Sequence, residues 1–500
     1  MTATHATLVP TFFDLWRSPS RGAKVALIGT SGQLTYSDLH LQVGRMSGRL
    51  RAAGIKLHDR VAIAMERSTQ AVVVLLAVLA AGACPCVMEP GIGREEARRR
   101  AAIAKLRCLL IDTTSIEAST MHDQTTTQCW DIASLPEANE YWALSVAPTA
   151  PALLLFTSGS SGKPKGVLQS HRGLLTNATG VVEHTALTEE DRLLHVMPLH
   201  HTNGVNNQIL APLLAGSSVV MAGRFRSRDM PELMTHYEPT ILTGVPTMYS
   251  RMLSEPFSSQ ALASLRMLRC GSAPITETLH REVEEKFATP LIVSYGLSEA
   301  TCTSTMNPPC RRKIGSVGTV LTGQDVQLRN GDGTSVYGKN QEGEVCISGK
   351  SLMLGYLDET SDGQPLSIGD GVLRTGDLGR LDDDGYLYLT GRIKDVIIRG
   401  GENLSPLLIE SVLVEVPGVE ACCVVAKQDA DLGEVPWAFI VRSADGNGKA
   451  LEDTQLAAAI RERLSHAHQP VGYTYSRSLP ENSVGKVDRK ALIAALNTPS

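Results

Sequence analysis

The stretch from residue 153 to 170 constrains this chain more than any other. Leu153-Leu154-Leu155-Phe156 is an apolar run of strand length, and Val167-Leu168-Gln169-Ser170 is a second short one. Between them stand Thr157-Ser158-Gly159-Ser160-Ser161-Gly162-Lys163-Pro164-Lys165-Gly166, with hydroxyls, three glycines and two lysines in ten positions. Flexible Gly/Ser linkers are not bracketed by buried strands, so the spacing predicts a loop joining two strands. This differs from GxxxxGK[ST], which joins a strand to a helix. Here Pro164 removes an amide donor and disfavours a helix start one residue earlier. The physics of holding an anion remains. Glycines let N–H groups converge, hydroxyls donate hydrogen bonds, and lysines add positive charge. Ser170 is placed to cap a helix over 171–184.

Upstream, helix-like and strand-like runs alternate. Strands are predicted at 24–28, 60–64 and 108–112, and a helix at 36–53 closed by Gly54. Residues 71–88 are apolar or small and approach the ~20 residues of a membrane span. Gly82 and Pro85 interrupt them, so a buried helix over 69–81, a turn and a strand fit better than a span. Residues 113–148 are mostly polar and read as a surface connection. Alternation of this kind predicts an α/β fold with largely parallel sheets. Five hundred residues exceed what one core supports, so two or more domains are expected. The chain is 43% hydrophobic and 20% charged with net charge −5, which gives no reason to expect a nucleic-acid or anionic-membrane partner. Ten scattered cysteines without zinc spacing, and no basic-then-apolar leader, point to a cytoplasmic protein with reduced thiols.

Downstream, Met197-Pro198-Leu199-His200-His201-Thr202-Asn203-Gly204 carries adjacent histidines. On a strand these would face opposite sides and not chelate one metal. Asn203, Val205, Asn206 and Asn207 are expected to begin the next helix. Met267-Leu268-Arg269-Cys270-Gly271-Ser272-Ala273-Pro274 is a strand ending in small residues, which permit close approach of a flat ligand. Leu291-Ile292-Val293-Ser294-Tyr295-Gly296-Leu297-Ser298-Glu299-Ala300 and Leu373-Arg374-Thr375-Gly376-Asp377-Leu378-Gly379 are two further strand-borne strings. Gly333-Thr334-Ser335-Val336-Tyr337-Gly338-Lys339-Asn340 nearly spells a phosphate loop, but Asn340 replaces the required hydroxyl, and a polar hairpin turn is expected. Residues 395–500 read as a small α+β unit, with helices at 405–416 and 453–466, strands at 421–426 and 437–441, and Asn482-Ser483-Val484-Gly485-Lys486-Val487-Asp488-Arg489 near the end.

Together these strings resemble the signature motifs of the adenylate-forming superfamily, which includes acyl-CoA synthetases, peptide-synthetase adenylation domains and firefly luciferase. The likeness covers nearly the whole chain. It implies a large N-terminal domain of several layered sub-domains, 1–391, that binds ATP and the acyl group. A small mobile C-terminal lid, 392–500, would swing about a hinge near Lys394. The resemblance places phosphates against Thr157, Ser158, Gly159, Ser160, Ser161, Gly162, Lys163 and Lys165. Adenine would lie between Gly271-Ser272-Ala273-Pro274 and Tyr295-Gly296, a phosphate oxygen on Ser298, and Mg²⁺ on Glu299. Asp377 would bind the ribose hydroxyls and Arg392 the ribose and phosphate region. His200, His201, Asn203, Gly204, Asn207 and Gly296 would line the pocket for a small carboxylic acid. Lys486 would enter as the catalytic lysine beside His201 and Glu299. Gly400 and Gly401 would pass a pantetheine arm. Two departures are visible: Ser298 stands for the usual threonine, and His466-Ala467-His468-Gln469-Pro470 lacks the lysine that many CoA-using relatives place before the proline. The implied reaction is an ATP-dependent acid:coenzyme A ligation, with a carrier-protein phosphopantetheine as the alternative acceptor and a non-catalytic nucleotide binder as the alternative class.

Overall fold

The computed structural model describes residues 7–113, 128–158, 164–336, 340–444, 446–481 and 486–496. Among these, strands form four sheets. The longest sheet has a parallel centre of Leu291–Tyr295, Met267–Cys270, Ile241–Gly244, Arg192–His195, Ser218–Met221 and Val25–Gly29. Gly32–Thr35 closes one edge antiparallel, and Thr305–Met306 with Thr319–Val320 closes the other. A second sheet runs Gly355–Leu357, Pro164–Ser170, Pro151–Ser158, Cys84–Val87, Arg60–Ile63, Cys108–Ile111 and Cys129–Asp131.

The central strands of these two sheets are mostly apolar because both faces are covered. Leu193, Val219, Ile241 and Met267 point into one core, while their neighbours Leu194, Val220, Leu242 and Leu268 point into another. The first core is shared with Val61, Ile63, Leu153 and Leu155 of the second sheet. Helices lie between the sheets, and Thr69–Ala80 is the clearest of them. Every residue from Ala71 to Ala80 is buried, so the helix is apolar all round, as a helix between two sheets must be. Its start is set by Ser68, whose hydroxyl accepts from Ala71 N–H. Tyr36–Ala52 begins with a reciprocal capping box between Thr35 and Asp38. Among the described residues no helix is long and apolar enough to cross a membrane.

A third, antiparallel sheet of Gln324–Arg329, Gly343–Gly349, Val372–Leu381 and Leu387–Arg392 follows. The chain then forms a smaller C-terminal domain. Its sheet holds Ile397–Arg399, Glu402–Leu404, Val419–Asp429, Gly433–Arg442 and Tyr473–Ser476, packed on Pro406–Leu413 and Asp453–Arg463. The large N-terminal domain of layered α/β and the small C-terminal domain match the predicted fold class.

Several boundaries differ from the sequence reading. The stretch read as surface connection contributes Cys129–Asp131, an edge strand parallel to Cys108–Ile111. Three residues are too few to show a period. The helix expected over 453–466 stops at Arg463 because Leu464 turns extended, and His466–His468 is a separate short turn. The near phosphate loop is a hairpin turn where it is described: Thr334 O accepts from Asn330 N–H, and Arg329 bridges Ser335.

Candidate active site

The glycine loop does join two antiparallel strands. Pro151–Ser158 and Pro164–Ser170 pair in register from Leu153–Gln169 to Thr157–Lys165 and Ser158–Pro164. Gly159, Ser160, Ser161, Gly162 and Lys163 lie outside the described residues. The hairpin is pinned to the Tyr295–Thr301 segment by Gln169, whose Nε2 donates to Ser298 O and Thr301 O, each at 2.9 Å. Ser170 caps the helix His171–Thr185, as predicted, through Gly173 N–H.

Gly355–Leu357 pairs with the outer strand of this hairpin, Tyr356 opposite Val167. That pairing carries a tyrosine the sequence reading missed into the site. The Tyr356 hydroxyl donates to Glu299 Oε1 at 2.7 Å, and Lys165 Nζ sits 5.2 Å from the ring centroid. Burial and the Glu299 charge push the Tyr356 hydroxyl pKa well up, so it stays a donor. No local period or motif marks Tyr356; only strand pairing reveals it. Glu299 Oε2 has no partner among the described residues. No cluster of three metal-ligating side chains occurs among them either. One free hard oxygen fits a Mg²⁺ ion that takes the rest of its shell from phosphate and water.

Asp377 is 6% exposed. Its Oδ2 accepts from the Tyr295 hydroxyl at 2.7 Å, and its Oδ1 pairs with Arg392 Nε at 2.7 Å. Burial and this carboxylate hold the Tyr295 hydroxyl far above its ordinary pKa. Each carboxylate oxygen keeps a lone pair for a further donor. Gly296 passes so close to the next turn that a Cβ there would lie 1.8 Å from Cys302 O. Gly271 faces Ser294, and Ser272 after it holds φ 69°, a strained value for a non-glycine residue.

Lys486 comes from the C-terminal domain, next to Val487, which bridges Glu481. Burial and the Arg392 charge depress its pKa, and Asp377 opposes them. The same ammonium helps hold His201 down. Asp377 and Arg392 pair directly, and the Lys486 ammonium acts electrostatically on that pair and on His201. Arg251 of the large domain pairs with Glu481 at 3.0 Å.

His200 and His201 do not occupy a strand. They sit in a turn with rings 4.4 Å apart and tilted 55°, not on opposite faces. The turn arises because Arg192–His195 ends early and a π-helix, Asn203–Leu210, begins just beyond. Gly204 permits the fold-back: a Cβ there would lie 2.0 Å from Pro198 O. Burial foremost, then His200, Lys486 and Arg100, push the His201 pKa down to about 3, so its ring is neutral. Both Nε2 atoms are buried without a hydrogen-bond partner among the described residues, and His200 Nε2 lies 4.0 Å from Glu89 Oε1. Asn207 donates to Asn203 Oδ1 at 3.3 Å and to Thr303 Oγ1 at 2.9 Å. Val205 packs in the large core, and Asn206 donates to Thr301 O at 2.7 Å.

Residues predicted for a second step are elsewhere. Lys394 is exposed in the short turn Ile393–Asp395. Gly400 and Gly401 have φ of 56° and 89°, and Gly400 N–H donates to Leu432 O inside the small domain.

The sequence profile described as AMP-binding enzyme matches residues 3–357, and that of the AMP-binding enzyme C-terminal domain matches 408–486. The chain belongs to the AMP-binding enzyme family. Within it the chain is an AMP-forming acyl-CoA synthetase, an acid–thiol ligase. This AMP-binding enzyme is 32% identical to a sulfoacetate–CoA ligase of Cupriavidus necator over 92% of each chain. Its fold matches ATP-bound MatB of Rhodopseudomonas palustris with TM-score 0.88, 27% identity and coverage of 98% and 99%. It also matches the o-succinylbenzoate coenzyme A synthetase of Bacillus subtilis with ATP and magnesium, with TM-score 0.82, 28% identity and coverage of 96% and 98%. Members of this family use ATP, Mg²⁺ and coenzyme A.

Proposed function

We propose that the enzyme joins a small carboxylic acid to AMP with release of pyrophosphate, then moves the acyl group to the thiol of coenzyme A with release of AMP. The observation that carries this reading is that Lys486 and Arg392, from the small domain, both act on Asp377 of the large one, and the Lys486 ammonium also acts on His201. A free carboxylate resists attack by a nucleophile because attack adds charge to an anion. Adenylation supplies a leaving group. In the first step a carboxylate oxygen of the acid attacks the α-phosphorus, and the bond to pyrophosphate breaks. Lys486 stabilises the charge gathering between carboxylate and α-phosphate. His201, neutral, sits beside the carboxylate without adding a cation that would overbind it. Asp377 and Arg392 orient the ribose, and Tyr295 with Gly271-Ser272-Ala273-Pro274 encloses the base. Ser298, Thr157, Ser158, Lys165 and the 159–163 loop hold the phosphates. Glu299, oriented by Tyr356, would hold Mg²⁺, which screens phosphate charge.

In the second step the small domain, 392–500, turns about Lys394 relative to 1–391. Lys486 withdraws and the Gly400–Gly401 turn approaches the pantetheine arm, where two glycines leave room beside the backbone. The sulfur attacks the acyl carbon, its proton passes to solvent, and the carbon–oxygen bond to AMP breaks. A carrier-protein phosphopantetheine offers the same thiol. It is kept as a second acceptor because no lysine precedes Pro470, and the carbonyls of His466, Ala467 and Gln469 there are bound by Arg399.

The test is acid-dependent pyrophosphate exchange into ATP, followed by thioester formation with free coenzyme A and with a loaded carrier protein. Exchange with some acid is expected. ATP binding without exchange for any acid would identify a non-catalytic nucleotide binder and end this reading.

A further inference from the structure

Arg269 is 1% exposed and is the one charged residue among the largest fully buried side chains. It stands on Met267–Cys270, two residues before Gly271. Its Nε donates to Thr243 Oγ1 at 2.9 Å and its Nη2 to Asn207 O at 3.0 Å. Its Nη1 is buried with no partner among the described residues. No carboxylate pairs with it among them. Asp191, whose field reaches it, is gripped by Arg266 at 2.5 and 2.7 Å. Burial lowers the Arg269 pKa only to about 10, so the guanidinium is charged at neutral pH.

A buried cation left with neutral acceptors and an idle N–H is costly, and such a group in a site is normally completed by an anion. The place of Arg269 says which anion. Asn207, which it touches, joins Asn203 and Thr303 in the wall of the acid pocket. His201, at the head of the same segment, lies in the field of Lys486. The polar seam thus begins where the reacting carboxylate sits and ends on an uncompensated positive charge.

We propose that Arg269 receives a second anionic group of the acid, so the substrate class is short acids bearing a distal carboxylate or sulfonate. This rests on the adenylating function proposed above. Such a group would take the idle Nη1 and supply the missing counter-charge, while a plain aliphatic acid would leave both unmet.

The test is pyrophosphate release by the full chain with ATP and Mg²⁺ over matched pairs: acetate with sulfoacetate, propionate with malonate, butyrate with succinate. The doubly anionic member should exceed its partner at least 100-fold in kcat/KM for at least one pair. Arg269→Met should erase that preference, and Arg269→Lys should restore part of it. Equal or better turnover of the singly charged members overturns the proposal, as does an unchanged preference in folded Arg269→Met. If that variant does not fold, the wild-type pairs decide alone. Activity confined to longer apolar acids sinks this proposal and leaves the ligase reading intact; inactivity with every acid sinks both.

Discussion

Single side chains at this site are set by their neighbours more than by their own chemistry. Glu299 is oriented by Tyr356, a hydroxyl that touches no nucleotide in the proposed reaction. Hydrogen bonds to a charged group contribute about 1.5–3 kcal/mol. Tyr356→Phe should therefore lower kcat/KM for ATP by roughly 10- to 100-fold, read from pyrophosphate release at varied Mg²⁺, with little change in melting temperature. The buried histidines make a second prediction. His171, His195 and His201 are held down to about 4, 3 and 3, each chiefly by burial. Below pH 6.5 the unfolded chain protonates these rings and the folded chain does not, so stability falls as pH falls toward 4. Each unit of pH in that window costs about 1.4 kcal/mol per ring. Calorimetry at pH 7.5 and 5.0 should show a large drop in melting temperature at the lower pH. His171→Asn combined with His195→Asn should shrink that drop if the double variant folds; an unchanged drop would place the acid sensitivity elsewhere.

At the scale of elements, Val487, next to Lys486, bridges Glu481, and Glu481 pairs with Arg251 on Pro246–Leu253 of the large domain. The pair is partly exposed, and such pairs contribute about 0.2–1 kcal/mol. That is small against folding but enough to bias two domain poses by up to about fivefold. Arg251→Gln should slow pyrophosphate exchange by up to about fivefold and leave thioester formation from supplied acyl-AMP as fast or faster. Equal slowing of both half-reactions would sink the idea that the pair favours the pose with Lys486 inside. A firmer tether lies just beyond Val487. Arg489 grips Glu410 at 2.7 and 2.8 Å and also donates to Val424 O, which ties the helix Arg489–Leu496 to the small domain's sheet.

For the whole molecule, the proposed cycle divides labour between two surfaces of the small domain. Lys486→Ala should abolish acid-dependent pyrophosphate exchange yet spare thioester formation from preformed acyl-AMP. Gly401→Leu should do the reverse. Its Cβ would meet no atom in the described pose, but φ is 89° there and the glycine turn is the proposed path of pantetheine. Quench-flow of the two half-reactions separates these outcomes, and equal loss of both in either variant would refute the division.

Local chemistry alone determined much of this protein. The apolar runs around the glycine loop, the Ser170 cap and the buried helix Thr69–Ala80 were legible because each rests on contacts within a few residues. Glu299, Asp377, Arg392 and Lys486 were proposed as site residues through the family resemblance of their strings. What the sequence could not reveal depends on pairing between distant segments. The histidine pair looked like strand and is a turn, because a π-helix packed against Thr301 and Thr303 draws the backbone round. Tyr356 enters the site through a strand partner nearly two hundred positions away. Arg269 read as an ordinary strand residue, and only burial against Thr243 and Asn207 makes its charge an unanswered one. A side chain's type is written in the sequence, but the dielectric and the partners that decide its chemistry are made by whatever the tertiary fold lays against it.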